Sequence, residues 1–124
     1  MKVMEPQGIN SAFEEAYNSR EIERLVALYE PDAVMAPSPG KRAVGNSAIR
    51  EVLLRLLAIG GQMQCRNLYC IRVGSIALLQ AEWSLSGTRP DGKPVELSSR
   101  TAEVVRQQED GSWRYIIDHA FGSD

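Results

Sequence analysis

Apolar side chains in the first half of the chain recur at helical spacing. Ile9, Ala12, Phe13, Ala16 and Tyr17 fall at i, i+3, i+4, i+7 and i+8 and predict a helix over 8–18. Asn18-Ser19-Arg20-Glu21 then reads as a capping box opening a second helix over 20–29. Ile22, Leu25, Val26 and Tyr29 form its inner stripe, and Pro31 ends it. Ala33-Val34-Met35-Ala36 reads as a short strand, and Pro37-Ser38-Pro39-Gly40 turns the chain out of it. Asn46 is a good N-cap for a third helix over 46–59, whose inner face carries Ile49, Val52, Leu53, Leu56 and Leu57. Gly60-Gly61 stops that helix. From Gln62 the pattern changes to strand and turn, with segments 62–73, 75–88, 93–108 and 112–121 forming a four-stranded antiparallel meander. Helices first and strands last make an α+β fold, read as one domain over 1–124 with its core at about 8–122.

The turns fix a register. Arg89-Pro90-Asp91-Gly92-Lys93 is a strong hairpin loop; closing it pairs Trp83 with Ser99 and Leu79 with Glu103. Closing the loop Glu109-Asp110-Gly111 pairs Glu103 with Ile117 and Thr101 with His119. The hairpin at Gly74 closes best with Asn67 opposite Ala81. Because side chains alternate faces, one face then carries Met63, Cys65, Asn67, Tyr69, Leu79, Ala81, Trp83, Thr101, Glu103, Tyr115, Ile117 and His119. On that face Glu103 and the chain's single histidine lie diagonally, roughly 7–8 Å apart at the backbone, a candidate acid–base pair. A lone histidine at a strand end is more often a structural residue. A lone glutamate on an apolar face is harder to dismiss, because an unpaired buried carboxylate is costly. Phe13, Leu53, Leu56 and Trp83 are expected to be strongly buried.

The opposite face carries Leu68, Leu78, Val104 and Ile116 beside a row of Arg66, Glu82 and Arg100, with Asp118 diagonal to Arg100. An apolar patch edged by registered charges suits a symmetric dimer interface.

Composition narrows the field. At 124 residues, 44% hydrophobic and 24% charged, the chain is long enough for a core without staples. A net charge of −2 with scattered Lys and Arg gives no reason to expect nucleic acid or an anionic membrane. No apolar stretch approaches a membrane span, and Met1-Lys2-Val3-Met4-Glu5-Pro6 does not read as a signal peptide, so a cytoplasmic location is expected. Cys65 and Cys70 read as small buried apolar residues on opposite faces of one strand. No nucleotide loop, zinc motif or nucleophile elbow is present; no metal and no cofactor is expected.

Ala16-Tyr17-Asn18-Ser19-Arg20-Glu21-Ile22 and Leu25-Val26-Ala27-Leu28-Tyr29-Glu30-Pro31-Asp32-Ala33 resemble the opening of the SnoaL-like, ketosteroid-isomerase-like proteins of the nuclear transport factor 2-like superfamily. Gly45-Asn46-Ser47-Ala48-Ile49-Arg50, Glu82-Trp83-Ser84-Leu85-Ser86-Gly87, Asp91-Gly92-Lys93-Pro94-Val95, Gly111-Ser112-Trp113-Arg114 and Asp118-His119 continue the resemblance over about 8–122. It implies a cystatin-like cone, with three helices packed on a curved antiparallel sheet, a pocket in the mouth, and homodimers through the outer sheet face. The steroid isomerase of that group needs a base aspartate after the first strand; Met35-Ala36-Pro37-Ser38-Pro39-Gly40 offers no acid there. Its oxyanion-hole tyrosine matches Phe13, and its second, protonated acid falls near Glu103. The Asp–Arg–Asp set of the group's epoxide hydrolases cannot be assembled on the inner face. Two functions remain open. One is acid–base chemistry of isomerase or cyclase type by Glu103 and His119 on a small apolar or amphipathic molecule, held by Tyr17, Asn67, Tyr69, Trp83 and Thr101. The other is a non-catalytic ligand-binding or dimerisation module with the same pocket.

Overall fold

The structure is a computed structural model, and it describes residues 2–123; Met1 and Asp124, the ends of the expected domain, lie outside the described residues. A 3₁₀ turn at Pro6–Gly8 leads into α1 (Ile9–Asn18) and α2 (Ile22–Val26). Then follow β1 (Tyr29–Ala36), β2 (Ala43–Val44), α3 (Asn46–Ile59), β3 (Gln62–Val73), β4 (Ile76–Thr88), β5 (Pro94–Arg100), β6 (Ala102–Gln107) and β7 (Trp113–His119). The strands form one curved, unclosed sheet in the order β2-β1-β7-β6-β4-β3, with β5 also paired to β4. The meander is antiparallel as the turns require, while β1 joins its far edge parallel to β7.

Two local departures from the sequence pattern have clear causes. Asn18-Ser19-Arg20-Glu21 does not cap α2; it stops α1. Arg20 takes a positive φ of 59°, its N–H donates to the Tyr17 carbonyl and that of Glu21 to the Ala16 carbonyl, the bonding of a left-handed helix stop. The second helix is correspondingly short, and Tyr29, expected on its inner stripe, opens β1 instead. At the start of α3 the N-cap is Gly45, one residue before the expected Asn46. At its end Gly61 has φ +81°, and a Cβ there would lie 3.0 Å from both the Ser86 carbonyl and a Val95 methyl, so the chain crosses the sheet closer than any other residue allows.

The sheet bends where β5 gives way to β6. Thr101 interrupts the strand: its N–H donates to the Ala81 carbonyl at 2.9 Å and its hydroxyl accepts the Ala81 N–H at 2.9 Å, so both backbone groups of Ala81 stay paired across the bend. Strand β4 thus pairs with β6 through Ile76–Leu79 and with β5 through Glu82–Thr88.

Two bulges decide which side chains face inward. Trp83 opposite Ser99, Leu79 opposite Glu103 and Val105 opposite Tyr115 follow the register expected from the turns. Beyond Tyr115 one extra residue, Ile116, enters β7, so Val104 pairs with Ile117, Glu103 with Asp118 and Ala102 with His119. In β3, Asn67 pairs with Ala81 as expected, but the extra residue Leu68 places Tyr69 opposite Gln80 and Cys70 opposite Leu79. A one-residue insertion reverses the face of everything after it.

Ile9, Tyr17, Leu25, Ile49, Leu53, Leu79, Leu85, Val105 and Tyr115 form the packed interior. Phe13, Leu56 and Trp83 are only partly buried, contrary to expectation, because they face a cavity rather than neighbouring atoms. Outside, the Arg66–Glu82–Arg100 row is present, with Glu82 bridged to Arg66 at 3.1 Å and to Arg100 at 3.3 Å. Asp118 is absent from that face, being turned inward by the bulge. The exposed apolar side chains Tyr69, Ile71, Val73, Leu78 and Ile117 stand on or near it.

Candidate functional site

A cavity of about 740 Å³ opens between α1, α3 and the concave sheet face. Its body is apolar, formed by side chains such as Phe13, Met35, Val52, Leu56, Met63 and Trp83. Into it project two carboxylates, Glu103 of β6 and Asp118 of β7, directly opposite each other in the ladder. Directly paired strand positions bring Cβ atoms to roughly 4.5–5.5 Å, well within mutual reach.

The chain supports each carboxylate separately. Tyr29, at the start of β1, donates its hydroxyl to Asp118 Oδ2 at 2.5 Å. On the other side Tyr115 donates to Asn10 Oδ1 at 2.7 Å, which leaves Asn10 Nδ2 pointing at Glu103 Oε1, 3.1 Å away, and at Asn67 Oδ1, 3.0 Å away. A tyrosine hydroxyl held neutral fixes the amide orientation. Both tyrosines are neutral throughout the working range, because burial and the nearby carboxylates push their hydroxyls well above the ordinary value.

Burial and then the charge of Asp118 push the Glu103 carboxyl above neutrality, only partly offset by hydrogen bonds from Thr101 and Asn10. Burial also raises Asp118, but less far, because the Tyr29 hydrogen bond and the charge of His119 favour its ionised form. Two like charges this close do not both ionise readily, so the pair holds one proton across neutral pH, predominantly on Glu103. Cys65 also lines the cavity, but burial followed by the carboxylate charges pushes its thiol up to about 12, so it is no thiolate nucleophile. Among the described residues no group of three or more His, Cys, Asp or Glu is placed to hold a metal ion.

Of the residues expected at the site, Glu103, Trp83 and Thr101 line the cavity. His119 does not: the Ile116 bulge places it beside Ala102 and Ala36, and Asp118 takes the inward position. Tyr69 is turned outward by the Leu68 bulge and is 40% exposed. Tyr17 is fully buried and reaches the carbonyls of Leu56 and Gly60, both at 3.0 Å, where it ties α1 to the end of α3. Asn67 stands behind the cavity wall, accepting from Asn10 and donating to the Tyr69 carbonyl at 3.1 Å. Cys70 shares the inner side with Cys65 across the same bulge, and both are free.

Sequence reasoning missed Asp118, Asn10, Tyr29 and Tyr115's role in the network. Asn10 had a signal, lying three residues before Phe13 and seven before Tyr17 on the apolar stripe of α1. For Asp118 the local signal was the adjacent Ile116-Ile117, which breaks strict alternation in β7.

This cone with a carboxylate pair in its hollow has relatives. The SnoaL-like domain matches residues 10–116. The chain belongs to the SnoaL-like domain family. No curated protein matches the sequence. Among solved structures, this SnoaL-like chain is similar to a ketosteroid isomerase-like protein from Erwinia carotovora atroseptica, with 21% identity over 91% of this chain and 89% of that one, at a TM-score of 0.80. A nuclear transport factor 2-like superfamily protein from Salmonella enterica matches with 15% identity over 95% and 88%, at 0.78. A candidate dehydratase of the same superfamily from Streptomyces avermitilis matches with 19% identity over 90% and 88%, at 0.73. At such identities the likeness carries the SnoaL-like fold, and the reaction has to be argued from the cavity itself. Among the described residues no helix is long and apolar enough to cross a membrane.

Proposed function

We propose that this SnoaL-like protein binds a small, largely apolar molecule in the cavity and moves a proton on it, with Glu103 as the acid and Asp118 as the base. The observation that carries this reading is the pairing of two supported carboxyls on one wall of an otherwise apolar cavity. A carboxyl held neutral can donate to a developing enolate or leaving hydroxyl, while its ionised neighbour removes a proton from the adjacent carbon. Isomerisation and dehydration next to a carbonyl both need that combination, and no cofactor. The ketosteroid isomerase-like and dehydratase labels of the structural relatives fit the same class. The second reading, binding without turnover, is favoured by the fact that Asn10 and Tyr29 already satisfy an oxygen of each carboxyl.

Exchange of α-hydrogens with solvent separates the two. A panel of cyclic ketones, enones and β-hydroxy ketones is incubated with the protein in heavy water and followed by proton NMR. Catalysed exchange that falls by two to four orders of magnitude in Glu103→Gln and in Asp118→Asn supports proton transfer. Ligands that perturb Trp83 without any exchange leave only the binding reading. The exposed apolar face further supports a homodimer through Tyr69, Ile71, Leu78, Val104 and Ile117, beside the Arg66–Glu82–Arg100 row.

A further inference from the structure

The cavity is chemically lopsided. Its mouth is ringed by cations: Lys41 and Arg42 on the loop between β1 and β2, and Arg55 on α3. Glu51 is the one carboxylate at that rim. The chain as a whole carries a net charge of −2, so three cations gathered at one opening run against its overall balance. Several other surface cations are paired with acids: Lys2 with Asp110, Arg24 with Glu21, Arg50 with Glu23 and Arg106 with Glu30. Among the described residues Lys41 and Arg55 enter no ion pair, although Glu51 lies one helical turn from Arg55. The Arg42 guanidinium donates to the Lys41 carbonyl at 2.7 Å, which stiffens the loop that carries both.

We infer that the cavity takes a carboxylate with an apolar body, its acid group held at the mouth by Lys41 and Arg55 and its body against Phe13, Leu56 and Trp83. This rests on the reading of the cavity as a small-molecule site, and it adds the charge and orientation of the occupant. The orientation has only one solution. An anionic group at the inner wall would meet the negative charge shared by the Glu103–Asp118 pair, an unfavourable contact in an apolar setting. At the mouth the same group meets Lys41 and Arg55 in water. The acid end therefore stays outside, and the far end of the apolar body, carrying the group to be transformed, is delivered to the carboxyl pair. The two exposed charge contacts together give about a tenfold preference for the anion, weakened by salt because the mouth is solvated.

The test titrates ¹⁵N-labelled protein with 4-phenylbutanoate, methyl 4-phenylbutanoate and 4-phenylbutylamine, which share a body and differ in charge. The readout is the Trp83 indole N–H, assigned with Trp83→Phe. The expected result is that the acid binds about tenfold more tightly than the ester and the amine binds weakest. The gap should narrow in 0.5 M NaCl. In the Lys41→Gln/Arg55→Gln double variant the acid's advantage should fall below threefold, whereas Arg50→Gln, away from the mouth, should leave it intact. Amide spectra of the variants check the fold. An ester that binds as tightly as the acid overturns the inference while leaving the cavity reading in place. An acid preference untouched by the double variant overturns it as well. No shift of Trp83 with any of the three compounds overturns both.

Discussion

Replacing Glu103 with Gln should make the protein more stable at neutral pH, the opposite of the usual effect of altering a buried residue. Glu103 is 2% exposed, and its carboxyl is raised by burial and by Asp118. In the unfolded chain the same group titrates near pH 4.3. Between that value and the raised folded value the folded state holds a proton that the unfolded state has released. Stability is therefore full below the unfolded value and falls as pH rises toward the folded one. The slope is a little over 1 kcal/mol per unit, and from roughly pH 4.3 to pH 7 it amounts to about 4 kcal/mol for a perfectly shielded group. The open mouth of the cavity admits water, so about 2–3 kcal/mol is expected. Gln has nearly the same shape, keeps an acceptor for Asn10 and a donor on the other side, and cannot ionise. Urea unfolding of both proteins at fixed concentration, at steps from about pH 4.5 to 7.5, should show near-equal stability in acid. The variant's advantage should then grow by about 2–3 kcal/mol. Titrating groups remote from the pair are common to both and cancel in the difference, and the titration of Asp118, which is coupled to Glu103, is followed alongside in both proteins by its ¹³C carboxyl shift. A difference flat with pH, or one running the other way, would refute the claim that the folded state holds Glu103 protonated.

Other expectations follow from single contacts. Tyr29→Phe removes the hydroxyl donated to Asp118, so its carboxyl should titrate about one unit or more higher, read from ¹³C carboxyl shifts; an unchanged titration would mean that the tyrosine does not hold the ionised form. Tyr17→Phe leaves the Leu56 and Gly60 carbonyls without their donor and should cost about 1–2 kcal/mol by urea melt, with binding at Trp83 unaltered. Val104→Arg plants a charge among Leu78 and Ile117 and should turn a homodimer into monomers in sedimentation equilibrium; a wild-type protein that is monomeric at micromolar concentration removes the dimer.

The fold was legible because turns and periodicity are local signals. The loop around Asp91 and Gly92 set Trp83 against Ser99 and Glu103 against Leu79, and both pairs stand in the structure. Helix limits at α1 and α3 followed from apolar spacing and from the glycines at 60 and 61. The site was half legible for one physical reason. Strand arithmetic assumes an unbroken ladder, and each bulge adds one residue that no turn announces. The count from the 109–111 loop holds through Tyr115 and fails at Ile116, so Glu103 was placed correctly and its partner was not. Ile117, read onto the inner face, stands on the outer one and is 46% exposed for the same reason. Tyr29 was lost differently, because the chain before it was read as helix when hydrogen bonds at Arg20 and Glu21 had already been spent on ending α1.

The Ile116 bulge has a consequence for how this site could change over generations. Asp118 and His119 are neighbours in sequence, yet only the first has access to the cavity, and the selection between them is made by the count of residues upstream. Loss of a single codon at Ile116 or Ile117 leaves Asp118 opposite Glu103 where it also removes the bulge; where the bulge is kept, every later residue moves back one place, Asp118 goes to the outer position opposite Val104 and His119 comes to the wall opposite Glu103. In that second case the inner pair would pass from carboxyl–carboxyl to carboxyl–imidazole with no substitution at either position. In this framework an insertion or deletion, usually the more damaging kind of change, is the shorter route to a new acid–base chemistry, and comparison of the family by point differences alone would overlook it.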